Sequence, residues 1–318
     1  MDASNSIPLP VILGPTGSGK SALSLCIALG IGGEIVNCDS LQVYRGFDAG
    51  TAKVPLAERQ GVPHHLIDVV DPAQLFTAGD YARLAEAVIH DISARGRVPV
   101  LVGGTGFYLR SLLEGLSPGP IRDAALRAKL AGREAKRPGS LHRILARLDP
   151  VSAARIHPND KNKTMRALEI RLLEGASLSL LFKRGRAALA GFRAIKIGLD
   201  PPRELLYARL NERARRMFYP AAPGQDLLEE VRRLLAAGVP ADAKPFESLG
   251  YKQALQLLGG RITKEQALES TQRETRQYAK RQWTWFRKET GVQWIPGFGD
   301  DAQVQTEARA IFEAAGVP

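Results

Sequence analysis

Gly14-Pro15-Thr16-Gly17-Ser18-Gly19-Lys20-Ser21 follows the apolar run Leu9-Pro10-Val11-Ile12-Leu13 and leads into Ser21-Ala22-Leu23-Ser24-Leu25-Cys26-Ile27-Ala28-Leu29, which stops at Gly30. The octet is a complete G-x-x-x-x-G-K-[ST] phosphate loop, with a short buried strand before it and a helix after it. Its glycines let backbone N–H groups converge on an anion, and the helix start adds partial positive charge. Lys20 supplies a mobile ammonium, and the Ser21 hydroxyl is placed to ligate Mg2+. The stretch predicts an α/β fold of P-loop NTPase-like type, with Gly14, Pro15, Thr16, Gly17, Ser18, Gly19, Lys20 and Ser21 around a phosphorylated ligand. Loops of this type serve ATP-binding and other nucleotide-binding proteins, and the loop alone does not say which ligand is taken.

The strand–helix rhythm continues beyond the loop. Glu34-Ile35-Val36-Asn37-Cys38 reads as a second strand. Tyr81 to Ala94 has helical periodicity, and Val98-Pro99-Val100-Leu101-Val102 is a near-continuous apolar strand closed by Gly103-Gly104. Such strands belong to parallel sheets buried on both faces. The alternation predicts a doubly wound parallel sheet flanked by helices. After Gly115-Leu116-Ser117-Pro118-Gly119-Pro120 strand signals cease. The text to about Leu181 is helical, interrupted at Pro138-Gly139 and His157-Pro158-Asn159. A strand returns at Ala194 to Leu199, and helices are expected over Glu204–Phe218, Asp226–Ala237 and Lys264–Glu289, with a last apolar segment at Val292–Ile295. The division expected is a core of residues 1–118 and 196–318 carrying a helical insertion, 119–195.

Charge marks the insertion. The 318-residue chain has a net charge of +11. Residues 119–195 hold 17 Lys plus Arg against 6 Asp plus Glu, and the remainder is balanced at 27 against 27. Positive charge concentrated in this way is the footprint of a polyanion, usually a nucleic acid, although a solvated helical face can look the same. No apolar run is long enough to span a membrane, the N-terminus lacks a secretory pattern, and the two cysteines, Cys26 and Cys38, fall on predicted core elements. These features predict a cytoplasmic protein with reduced thiols. Nothing predicts a protein partner or a structural zinc site.

Asp39 is the one carboxylate expected beside the phosphate loop, since ligands of open α/β sheets bind outside the carboxyl ends of strands. It could accept a proton there, or simply cap the following turn. Two glycine-rich turns, Gly50-Thr51-Ala52-Lys53 and Gly103-Gly104-Thr105-Gly106-Phe107-Tyr108, flank the same crevice. The C-terminal helix interleaves Arg273, Arg276, Lys280 and Arg281 with Tyr278, Trp283 and Trp285. That pattern suits phosphate contacts with base stacking, or an amphipathic helix with buried rings. Arg209, Arg213 and Arg216 could clamp a diphosphate or be solvated.

Taken together, these residues resemble the tRNA dimethylallyltransferase (tRNA isopentenyltransferase) family. The resemblance runs through Gly14-Pro15-Thr16, Asp39-Ser40-Leu41-Gln42-Val43-Tyr44, Gly50-Thr51-Ala52-Lys53, Pro63-His64-His65-Leu66-Ile67-Asp68 and Gly103-Gly104-Thr105-Gly106-Phe107-Tyr108. It continues through Ile156-His157-Pro158-Asn159-Asp160, Arg166-Ala167-Leu168-Glu169, Gly250-Tyr251-Lys252-Gln253 and Thr275-Arg276-Gln277-Tyr278-Ala279-Lys280-Arg281-Gln282. It implies transfer of a dimethylallyl group from dimethylallyl diphosphate to the exocyclic N6 amine of the adenosine 3′ of the anticodon. In that chemistry the phosphate loop and Arg213 hold pyrophosphate, Mg2+ sits on Ser21, and Lys20, Asp39 and Thr105 serve catalysis. The resemblance also implies tRNA contacts from Asp39, Ser40, Leu41, Gln42, Thr105, Arg127, Lys163, Thr164, Met165, Arg166, Ala167, Arg276 and Arg281. The pattern departs from the family at Lys163, where Arg is usual, and at the long, proline-rich stretch Met217 to Val231. No zinc finger follows the last helix pattern, which resembles bacterial members. The rivals are a nucleotide kinase, a prenyltransferase acting on free adenylate, and a non-catalytic RNA-binding module.

Overall fold

The computed structural model describes residues 6–116, 120, 122–175, 188–221 and 226–318. It forms two units, Met1–Leu113 with Leu189–Pro318, and Glu114–Ala188. The larger unit is built on six parallel strands: β1 (Ile7–Leu13), β2 (Glu34–Asn37), β3 (His64–His65), β4 (Pro99–Gly103), β5 (Phe192–Asp200) and β6 (Val292–Pro296). Their order across the sheet is β3-β2-β4-β1-β5-β6. The central register pairs Val11 with Leu101 on one side of β1 and with Lys196 on the other. β5 is longer than its apolar run, because its pairing with β1 begins at Ile7 opposite Phe192. The expected 119–195 boundary therefore cut into a core strand, and the smaller unit lies a few residues earlier, at Glu114–Ala188.

Helices cover both faces, as a parallel sheet requires. α1 (Lys20–Gly30) packs Leu23 and Ile27 onto Ile12, Val100 and Ile197, together with Phe312 of the last helix, Ala302–Ala314. Thr77 caps α2 (Ala78–Ala94) through a reciprocal box with Asp80. The expected turn at Gly106 is in fact the start of α3 (Gly106–Leu113). A second cluster joins Val43, Phe47 and Phe246 to Phe218, Val231 and Tyr251, and the rings of Phe47 and Tyr251 lie 4.8 Å apart. Each such fully buried side chain contributes roughly 1.5–3 kcal/mol by leaving water.

At the amino end of the sheet Glu34 is a buried carboxylate, 2% exposed. Arg95 holds it in a two-pronged ion pair at 2.5 and 2.9 Å, and His65 approaches its second oxygen at 2.6 Å. Arg95, then His65, lower the Glu34 pKa to about 2, against the opposing cost of burial. A carboxyl so depressed stabilises the fold fully above about pH 4.5, and the contribution is lost as pH falls towards 2. It amounts to at most about 3 kcal/mol. Glu34→Gln should therefore unfold well below the wild-type temperature at pH 7, with the gap closing near pH 2. A gap of constant size across that range would contradict the assignment.

Among its described residues the smaller unit has four helices: α4 (Ala124–Lys136), α5 (Ser140–Leu148), α6 (Pro150–Arg155) and α7 (Lys161–Glu174). Asp123, Asp149 and Asp160 cap the starts of α4, α6 and α7. The breaks fall at the expected Pro138-Gly139 and His157–Asn159, plus one at Asp149. Leu130, Leu141, Leu145, Ile156, Ala167 and Leu168 form the core. Two expected tRNA contacts are corrected here. Thr164 and Ala167 are 1% and 0% exposed, because their face of α7 turns into this core and no ligand can reach them. Met165 also packs against it. Glu169, fully buried, takes Arg127 at 3.1 Å and Arg166 at 2.8 Å. Both arginines thus hold a buried carboxylate, whereas Lys163 is exposed and makes a surface pair with Asp160.

Beyond β5 the larger unit continues through α8 (Arg203–Phe218), α9 (Leu227–Ala236), α10 (Tyr251–Leu258) and the long α11 (Lys264–Phe286).

Candidate active site

The loops leaving the carboxyl ends of β1, β2 and β4 converge on a cavity of about 690 Å3. It is lined by Thr16, Gly17, Gly19, Lys20 and Ser21 of the phosphate loop, by Asp39 and Gln42, by Gly103 and Gly104, and by Arg209, Arg213, Tyr278 and Gln282. Gly17 and Gly19 have φ of 79° and 86°, a region closed to most side chains, and this turns the backbone around the start of α1. Gly14 and Pro15 lie buried beneath the loop. No side chain caps α1, and no acid sits in its first turn. A helix start left without a side-chain cap is what an anion site requires.

Lys20 donates to the Pro15 carbonyl at 2.8 Å. Burial lowers its pKa to about 8, Asp39 pulling the other way and Arg213 reinforcing the shift. Arg213 comes from α8 and donates to Thr16 Oγ1 at 3.1 Å and to the Gly50 carbonyl at 3.2 Å. Burial lowers its pKa too, the Asp39 charge opposing. No described carboxylate forms an ion pair with it, which leaves its charge for a ligand. The other two arginines of that helix differ. Arg209 pairs with Asp300, and Arg216 with Glu212.

Asp39 caps the turn, as the sequence allowed, and also reaches the cavity. Its Oδ1 accepts from the amides of Leu41 and Gln42 at 2.8 and 3.3 Å, capping the turn. Its Oδ2 accepts no hydrogen bond from a described residue, and the carboxylate lines the cavity. Thr105 meets the backbone on both sides of Asp39: its Oγ1 accepts from the Ser40 amide at 3.0 Å, and its own amide donates to the Cys38 carbonyl at 3.2 Å. Gly103 allows this approach, since a Cβ there would fall 2.0 Å from the Cys38 carbonyl oxygen.

The two readings of the aromatic-basic helix, α11, are separated by packing. Trp283 packs on Leu206, Leu210 and Ala279, and Trp285 lies beneath Arg110 and against Gly106. Those two rings are packing residues, not stacking platforms. Arg276 is tied to Asn211, while Arg281 is exposed. Tyr278 alone of the three rings faces the cavity. Sequence reasoning missed Gln282, which accepts from the Thr16 amide at 2.8 Å and donates to the Gly104 carbonyl at 2.9 Å. It ties two cavity walls together, and its signals were its place at the end of the Thr275–Gln282 motif and the i, i+4 spacing from Tyr278. Also missed was the Glu230–Tyr251 pair. Glu230 accepts from the amides of Asp48 and Ala49, and the Tyr251 hydroxyl accepts from Gly50. Together they fix the turn whose Gly50 carbonyl meets Arg213.

A family model described as IPP transferase matches residues 42–289, more than half of the chain. The chain belongs to the IPP transferase family. This IPP transferase is 58% identical to the tRNA dimethylallyltransferase of Solibacter usitatus over 302 residues, 95% of this chain and 97% of that protein. It is 52% identical to the tRNA dimethylallyltransferase of Koribacter versatilis over 306 residues, 96% and 98% of the two chains. Among solved structures, a full-length tRNA isopentenylpyrophosphate transferase from Bacillus halodurans superposes with a TM-score of 0.70 at 37% identity, covering 96% of each chain. A eukaryotic dimethylallyltransferase described as acting on tRNA superposes at 0.81 with 29% identity, covering 98% of this chain and 81% of that one. The family model begins after Asp39, so the phosphate loop of this IPP transferase lies outside the matched residues. No described helix is long and apolar enough to cross a membrane.

Proposed function

We propose that this IPP transferase is cytoplasmic and moves a dimethylallyl group from dimethylallyl diphosphate to the exocyclic N6 amine of the adenosine 3′-adjacent to the anticodon in tRNAs. The observation that carries this reading is one cavity in which a carboxylate oxygen with no partner among the described residues, Asp39 Oδ2, stands with the phosphate loop, Lys20 and Arg213. An anion-binding wall and a proton acceptor are what this substitution needs. The amine lone pair is delocalised into adenine, so attack is helped by removing a proton as the N–C bond forms. Nitrogen attacks the first allyl carbon, the carbon–oxygen bond breaks, and its electron pair leaves with the diphosphate. The amine proton passes to Asp39. The loop amides, Lys20 and Arg213 neutralise charge as it develops on the leaving group.

The donor set also suits Mg2+. Ser21, which carries a hydroxyl, lines the cavity, and the described residues offer no cluster of three or more acids, histidines or cysteines that would cage an ion by themselves. Magnesium is held in this manner, through a hydroxyl and substrate phosphates with water completing the shell. When bound there it supplies further charge neutralisation.

An adenine inside a stacked loop cannot reach such a cavity, so the base must leave the stack. Ser40, Leu41 and Gln42 adjoin Asp39 and are only partly buried, which suits contact with a flipped nucleotide. The exposed Lys163 suits phosphate contact, and Arg127 and Arg166 contribute field from their places on Glu169.

The test is incubation with Mg2+, radiolabelled dimethylallyl diphosphate and either an unmodified anticodon stem-loop or AMP. Label in the stem-loop alone is the expected result. Label in AMP alone would replace it with an adenylate prenyltransferase, and label in neither would overturn prenyl transfer altogether.

A further inference from the structure

Arg209 and Arg213 stand four residues apart on α8, on the face that meets the phosphate loop. Arg213 engages the Thr16 side of the loop. Arg209 lines the same cavity, but its fork is occupied: Nη1 and Nη2 donate to the two carboxylate oxygens of Asp300 at 2.8 and 3.0 Å. Its guanidinium lies over the Phe298 ring, 5.0 Å from the centroid. The turn carrying Asp300 is pressed against the phosphate loop. Gly299 donates to the Ser18 carbonyl at 2.9 Å, and a Cβ on Gly299 would fall 2.4 Å from the Gly19 carbonyl oxygen. A Cβ on Gly19 would lie 2.6 Å from Asp300 Oδ1. A carboxylate therefore stands against the rim of an anion-binding loop, where it opposes a diphosphate unless a cation answers it.

We propose that Arg209 and Asp300 form an exchangeable latch, in which Arg209 gives up the carboxylate of Asp300 and takes two oxygens of the entering diphosphate. The inference rests on the reading that this cavity takes a diphosphate. A guanidinium fork fits carboxylate and phosphate oxygens equally well, so the exchange preserves its geometry. Both side chains are 44% exposed, and ion pairs that wet are held weakly, so little opposes the exchange. Asp300 sets the resting orientation of Arg209 and, by competing for it, weakens donor binding. Product release is eased by the same carboxylate, which recaptures the arginine as pyrophosphate leaves.

The test is calorimetric titration of the full chain with inorganic pyrophosphate and Mg2+. Arg209→Ala should weaken binding about tenfold, the loss of a charge-assisted pair. Asp300→Asn should tighten it several-fold. These effects of opposite sign distinguish a competing latch from a structural pair. If Asp300→Asn weakens binding as Arg209→Ala does, Asp300 merely holds the arginine in place and the latch is overturned; it is also overturned if Arg209→Ala changes nothing. Lys20→Ala serves as the reference. Binding unaffected by Lys20→Ala would remove the diphosphate reading itself, whereas a loss there beside an unchanged Arg209→Ala removes only the latch.

Discussion

Asp39→Asn is expected to lower turnover of prenyl transfer by roughly 10²–10⁴-fold, the range supplied by a positioned general base. The substitution suits the question because Asn keeps an oxygen for the Leu41 and Gln42 amides that Oδ1 now serves. The turn stays capped, and only the proton acceptor is lost. Affinity for the RNA and for pyrophosphate should change little, so the defect belongs in kcat. Single-turnover rates with saturating donor and stem-loop check it directly. A rate close to wild type would show that the amine loses its proton elsewhere. Thr105→Ala should give a smaller loss of the same kind, because the Thr105 hydroxyl meets Ser40, the neighbour of Asp39, and not Asp39 itself.

Lys20→Ala should weaken binding of the diphosphate by roughly 10- to 100-fold, the usual cost of deleting a hydrogen bond to a charged group. The pH dependence gives a second handle. Burial brings the Lys20 pKa down to about 8, and a depressed amine loses its charge earlier as pH rises. Wild-type affinity for pyrophosphate should therefore fall as pH climbs through about 8, and the Lys20→Ala variant should lose that dependence. Titrations at several pH values test both statements. A wild-type affinity that stays level up to roughly two pH units above neutrality would place the binding charge on other groups. Arg213 would be the first of these, since it is the second cation of the wall and has no described carboxylate partner.

Much of the site is encoded locally. The octet Gly14 to Ser21 fixes its own conformation, because the positive φ at Gly17 and Gly19 is a property of those residues and the strand and helix beside them carry their periodicity in sequence. The parallel sheet is legible for the same reason: strands buried on both faces read as unbroken apolar runs. The order of motifs along the chain points to the family, and the family model agrees. Asp39 is legible as a strand-end acid.

What stays hidden depends on partners distant in sequence. Periodicity places Thr164 and Ala167 on a helix but does not say which face meets Leu130 and Leu145. Arg127 and Arg166 read as free charge because Glu169, the carboxylate that holds them, looks like any surface acid until it is buried. Trp283 and Trp285 could stack on bases or fill a core, and only the packing against Leu206 and Gly106 decides between the two. Gln282 reaches Thr16 across 266 residues of chain, a distance no local pattern spans. The sheet, the glycine-rich octet and the family are all legible in the chain, since each is set by backbone preference and short-range order. Folding settled which of the many arginines line the cavity and which carboxylate, if any, stands beside each, because those partners lie far apart in sequence.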